Sequence, residues 1–166
     1  SGSNAATLDA YPAGAFSINY LIASVSLFDY STCENLELSF YYMNHGEESS
    51  PNDRVWMRGS DADPWIEIYD LYNNRGTPGV WKYVSGIDID AILAANGQNP
   101  TQTFQLRFGQ EDNYPSTSTT ASDGFTFDDV KIEEIDPSQF IISTFPYSQS
   151  WEDGMGLWCQ ATDDDF

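Results

Sequence analysis

Along most of the chain, apolar and polar residues alternate with a period of two, the pattern of strands that bury one face. Leu36, Leu38, Phe40 and Tyr42 alternate with Glu37, Ser39 and Tyr41, and Phe104, Leu106 and Phe108 alternate with Gln105 and Arg107. Val55 and Met57 oppose Trp56 and Arg58, and Ile66 and Ile68 oppose Trp65, Glu67 and Tyr69. Val80 and Val84 flank Trp81 and Tyr83, and a last strand starts at Phe125 and Phe127 and runs to Ile132. Turn-forming clusters at 44–53, 59–64, 73–79, 96–100 and 111–124 separate these runs. Residues 1–19, small and polar without period, read as an irregular lead-in. One stretch departs from the pattern: Asp88 or Asp90 caps a short helical segment from Ala91 to Ala95, and Asn96-Gly97 ends it. Many short strands with hardly any helix predict an all-β fold, a jelly-roll β-sandwich of two antiparallel sheets.

The alternation breaks once. Phe125, Phe127 and Asp129 share one phase and Asp128, Val130 and Ile132 the other, so the apolar face changes sides at the two aspartates. A bulge there is the expected cause. A shift in composition at Asp136-Pro137-Ser138 sets the boundaries, with residues 1–136 as one module and 137–166 as a linker plus the opening of a following one.

Charge narrows the function. Six Lys and Arg against 26 Asp and Glu, −20 in all, exclude a binder of nucleic-acid backbones and oppose docking on an anionic membrane. No apolar run is long enough to span a membrane as a helix. With 40% hydrophobic and 15% aromatic residues the chain has ample matter for a core. An acidic, aromatic, lysine-poor chain fits an extracellular or cell-surface setting, where a hard cation such as Ca²⁺ is a plausible partner.

Three segments carry a family resemblance. Cys33-Glu-Asn-Leu-Glu-Leu-Ser-Phe-Tyr-Tyr-Met43 with Asn44-His45-Gly46, the strand Asp123-Gly-Phe-Thr-Phe-Asp-Asp-Val-Lys-Ile132, and Ser150-Trp-Glu-Asp-Gly-Met-Gly-Leu-Trp-Cys-Gln160 with the acidic run to Phe166 resemble motifs of MAM domains. Residues 55–72 and 104–113 are also similar to modules of large secreted or surface proteins of Bacteroidetes-type bacteria. The resemblance implies a jelly roll outside the cell, with a role in adhesion or ligand binding rather than catalysis. The third motif follows the other two here, whereas the family has it first. That order implies a stretch of a tandem array that starts inside one repeat and ends inside the next, with neighbouring repeats as partners. A sheet edge left bare by a missing opening strand could be filled by residues 140–158, in cis or from another chain. Cys33 and Cys159 either bridge each other or pair within their own repeats, and two cysteines are fewer than the family's usual set.

The candidate chemistry follows from these readings. Asp128 and Asp129 repel each other unless a cation or hydrogen bonds offset the charge. They are therefore the expected core of a structural Ca²⁺ site, with Glu152 and Asp163 as further ligands. Trp56, Trp65 and Tyr69 are the expected platform for a glycan, with Tyr41 as a secondary contributor. Trp56, sharing a face with Arg54 and Arg58, is expected to be the most exposed, and Trp81 to pack inside. His45 is the only histidine and lies in a polar turn, the pairs Glu67 with Asp70 and Glu34 with Glu37 point to opposite strand faces, and no CxxC, P-loop or HExxH occurs. Two functions follow: a non-catalytic adhesion and spacer module that meets extracellular glycan or protein, or a carbohydrate-binding accessory to a secreted hydrolase or peptidase.

Overall fold

The computed structural model describes residues 4–8, 17–30, 36–46, 50–112 and 124–135. Eight strands occur among them: β1 (Ala6–Leu8), β2 (Ser17–Val25), β3 (Leu36–Asn44), β4 (Arg54–Arg58), β5 (Ile66–Asp70), β6 (Trp81–Asp88), β7 (Phe104–Asp112) and β8 (Phe125–Glu134). They form two antiparallel four-stranded sheets, one ordered β1-β8-β3-β6 and the other β2-β7-β4-β5. The expected all-β sandwich is the fold observed.

Alternation places the core where the sequence puts it. Leu38, Phe40 and Tyr42 of β3 face Val55 and Met57 of β4 and Leu106 and Phe108 of β7, and all seven are buried. Phe108 meets Phe127 at 4.7 Å and Phe40 at 5.3 Å between ring centres, so β8 and β3 lie over β7 and its neighbour. The helix α1 (Ile89–Ala95) closes one end, burying Ile89 and Leu93. Asp88 is its cap, accepting the Ala91 N–H at 2.9 Å, and Gly97 leaves it in a left-handed turn at φ 69°. Asp90 reaches across instead, and its Oδ2 accepts the Leu36 N–H at 2.6 Å where β3 begins.

Two bulges flank the same point of β3. Phe40 lies opposite two residues of β8, Asp129 and Val130, one more than a regular ladder holds, between the pairs Tyr41 with Asp128 and Ser39 with Lys131. On the other side Ser39 lies opposite Ser85 and Gly86 of β6. Asp129 takes φ 45° and Gly86 φ 75°, the left-handed conformation that Asp tolerates and Gly adopts freely. Asp128 Oδ1 accepts the Asp129 N–H at 2.8 Å, and Glu37 Oε1 accepts that of Gly86 at 2.8 Å. The expected phase break at the aspartates is thus a bulge.

Asp53 is buried at the opposite end from α1. Its carboxylate accepts the N–H groups of Ser50 at 2.8 Å and Glu111 at 3.0 Å, tying the turn before β4 to β7. Burial outweighs these bonds and pushes its carboxyl up from 3.8 to about 6. A folded-state pKa above the unfolded one adds stability that is fully present below 3.8 and is lost as pH rises through 6. The melting temperature should therefore fall between pH 4 and pH 7. In Asp53→Asn, which no longer takes up that proton, the fall should be smaller by up to about 3 kcal/mol in stability. Identical slopes in thermal melts of the two proteins would rule the effect out.

Candidate ligand-binding face

The outer side of the β1-β8-β3-β6 sheet carries a row of open aromatic rings. Tyr41 of β3 is directly paired with Tyr83 of β6, and Trp81 sits one outward position along from Tyr83. The two tyrosine rings lie 4.7 Å apart at 31°. Tyr83 is 52% exposed and Trp81 42%. Beyond them the bulge of β8 raises Asp128 and Asp129. Two adjoining hollows result. One of about 440 Å³ is lined by Ser39, Tyr41, Tyr83, Val130, Lys131 and Glu133 with Asp129, and one of about 200 Å³ by Tyr41, Trp81, Asp128 and Asp129. Tyr41 and Asp129 border both, so the hollows form one groove with an aromatic side and a carboxylate side. Such a surface can stack apolar ring faces while its carboxylates accept hydroxyl hydrogen bonds.

The expected platform lies elsewhere and its ring faces are occupied. Trp56 points out from the β2-β7-β4-β5 sheet as its strand phase requires, yet it is only 9% exposed. Gly109, two positions from its β7 partner Arg107, leaves no side chain beneath the ring, so Trp56 lies down over it. The Arg107 guanidinium then stacks at 4.1 Å on Trp56, 4.4 Å on Trp65 and 4.7 Å on Tyr20. Arg58 stacks on Trp65 at 4.3 Å. Burial lowers the proton affinity of Arg107, and its Nε is buried with no hydrogen-bond partner among the described residues. This stack of cations and rings fills the faces that a sugar would need.

Tyr69 is turned inward by a third bulge. Val55 pairs with Tyr69 and Trp56 with Glu67, so Ile68 is the extra residue and Tyr69 shares the inward side of Val55. Its ring packs on Phe40 at 5.8 Å and Tyr42 at 5.9 Å. Trp81, expected inside, is outside instead, because Val84 and not Trp81 carries the buried phase of β6. Lys82 occupies that inner phase next to Val84 and conceals it in the sequence, reaching the rim to donate to the Asn74 carbonyl.

Among the expected calcium ligands, Asp128 and Asp129 are together, with one oxygen of Asp128 engaged by the backbone. Calcium takes six to eight oxygens, and no group of three or more His, Cys, Asp or Glu among the described residues is placed to hold a metal. Glu152, Asp163, Cys33 and Cys159 lie outside the described residues. His45 hydrogen-bonds Thr126 Oγ1 at 2.7 Å, and that hydroxyl meets Thr7 Oγ1 at 2.8 Å, tying the turn after β3 to β8 and β1.

No family model, no curated protein and no solved structure matches this chain. The likeness to MAM domains therefore rests on the quoted motifs alone.

The cations decide what kind of ligand the groove suits. All six are engaged within the fold. Arg54 pairs with Glu67 and Asp70, Arg58 and Arg107 stack on tryptophans, Arg75 lies over Tyr72, Lys82 meets Asn74 and Lys131 meets Glu133. With a net charge of −20 around them, they leave the groove without attraction for anions.

Proposed function

We propose that this chain is a non-catalytic extracellular binding module whose ligand is an uncharged or amine-bearing carbohydrate, held in the groove of the β1-β8-β3-β6 sheet. The observation that carries this reading is the trio Tyr41, Tyr83 and Trp81, exposed in one row beside Asp128 and Asp129. Open aromatic rings on a sheet face otherwise cost solubility, and a sugar with an apolar ring face and a hydroxyl rim matches both sides of the groove. The acidity of the chain and the MAM-like motifs support a place outside the cell. In that setting a glycan-binding module serves either adhesion or the anchoring of a neighbouring enzyme to its substrate.

A glycan array followed by affinity electrophoresis tests the proposal. Neutral or amino-sugar polymers should retard the protein, and heparin should not. Tyr83→Ala and Trp81→Ala should each weaken binding about tenfold, or ~1.4 kcal/mol, without a change in melting temperature. Retention of no glycan, or undiminished retention of the double variant, would reject the reading.

A further inference from the structure

An uncharged and an amine-bearing sugar would make different demands on the groove, and its charges favour the second. Tyr83 of β6, Tyr41 of β3 and Asp128 of β8 are direct neighbours across three strands. Adjacent strands lie about 4.8 Å apart, so a sugar ring resting on Tyr41 carries its rim to Asp128. One carboxylate oxygen of Asp128 accepts the Asp129 N–H at 2.8 Å, which holds the side chain at the hollow it shares with Tyr41 and Trp81. Charge accumulates along the same wall. Asp128, Asp129 and Glu133 line the two hollows, and Lys131 is the cation among the described lining residues. Lys131 is paired with Glu133, so the two aspartates set the sign of the groove. Glu37, the partner of Glu133 on β3, adds a carboxylate at the far end, fixed by the Gly86 N–H at 2.8 Å.

An ionised carboxylate only accepts hydrogen bonds. Against a hydroxyl one partner of the bond is charged, while against an ammonium both are, and the bond is stronger. Desolvating Asp128 under a neutral sugar costs free energy that an ammonium offsets. The aromatic side favours the same ligand, since an ammonium near the face of Tyr or Trp is attracted by the ring's negative face. The field of a chain of net charge −20 adds attraction at longer range.

Resting on the carbohydrate reading of this groove, we infer that it selects a sugar whose ring carries a protonated amine. Asp128 reads the charge, and Tyr41 and Tyr83 orient the ring. Chitosan oligosaccharides and their fully N-acetylated counterparts share one backbone and differ in that charge, so calorimetric titration with the two is the test. In mildly acidic, low-salt buffer the amine form should bind at least about tenfold tighter, and the margin should shrink as salt screens the charges. Asp128→Asn keeps an oxygen for the Asp129 N–H, so it should abolish the margin while the affinity for the acetylated oligomer stays the same. Asp61→Asn, the same loss of charge in the β4–β5 turn of the other sheet, should leave the margin in place. Tyr83→Ala should weaken both oligomers. Equal affinity for the two oligomers, or a margin that survives Asp128→Asn, overturns the inference and leaves the carbohydrate reading intact. Binding to no glycan at all removes that reading and the inference with it. Retention of polylysine that is lost in Tyr83→Ala would assign the groove to a basic peptide and overturn the inference as well.

Discussion

Replacing Phe108 by alanine is expected to destabilise the fold by about 3–5 kcal/mol, a large part of the 5–15 kcal/mol typical of a domain. The ring sits where both sheets meet. It pairs with Val55 across β4, sets its edge against Phe40 and lies 4.7 Å from Phe127. Removing it takes dispersion contacts from three strands at once and leaves a cavity walled by rings that cannot bend to fill it. Urea melts of the two proteins measure the loss. A change of only about 0.5 kcal/mol, the size of a surface substitution, would mean that the two sheets are not held together here.

Gly59→Ala is expected to cost about 3 kcal/mol by a different route. An added Cβ would overlap the Asn99 carbonyl oxygen and stand 3.1 Å from its carbon. Neither partner is the free end of a side chain. The Gly59 N–H donates to Gln98 Oε1 at 2.8 Å, Thr101 Oγ1 donates back to the Gly59 carbonyl at 2.6 Å, and Gln98 Nε2 holds the Pro64 carbonyl at 2.9 Å. These bonds latch the β4–β5 turn to the segment between α1 and β7, so backbone must move for the methyl to fit. The melt should shift down sharply in Gly59→Ala. A melt equal to that of the parent would show that the latch yields freely.

The core could be read from the sequence because it obeys one rule. Leu36, Leu38, Phe40 and Tyr42 of β3, Val55 and Met57 of β4 and Phe104, Leu106 and Phe108 of β7 recur at every second position, and all are buried. The β8 bulge was legible for a similar reason, since the phase break at Asp128-Asp129 is a local signature, while the α1 cap was narrowed to Asp88 or Asp90 and is Asp88. β1 and β2 were not legible. Their residues look like an irregular lead-in because their places in the sheets are set by distant partners in β8 and β7. The exposed aromatic residues differ from those expected for three identifiable reasons. Gly109 gives Trp56 a seat that no pattern on β4 announces, the Ile68 bulge turns Tyr69 inward, and Lys82 masks the inner phase of β6. Each depends on a neighbouring strand, which single-strand periodicity does not see.

The paired bulges beside Phe40 separate the shape of the groove from its chemistry. Curvature resides in two extra backbone residues, fixed by left-handed Asp129 and Gly86. Side chains along the groove can therefore vary while the platform keeps its bend. Deleting one residue at either bulge would instead leave a regular ladder and take away the bend that shapes the groove. Across a lineage this face should accommodate exchange of residues far more readily than any change in their number.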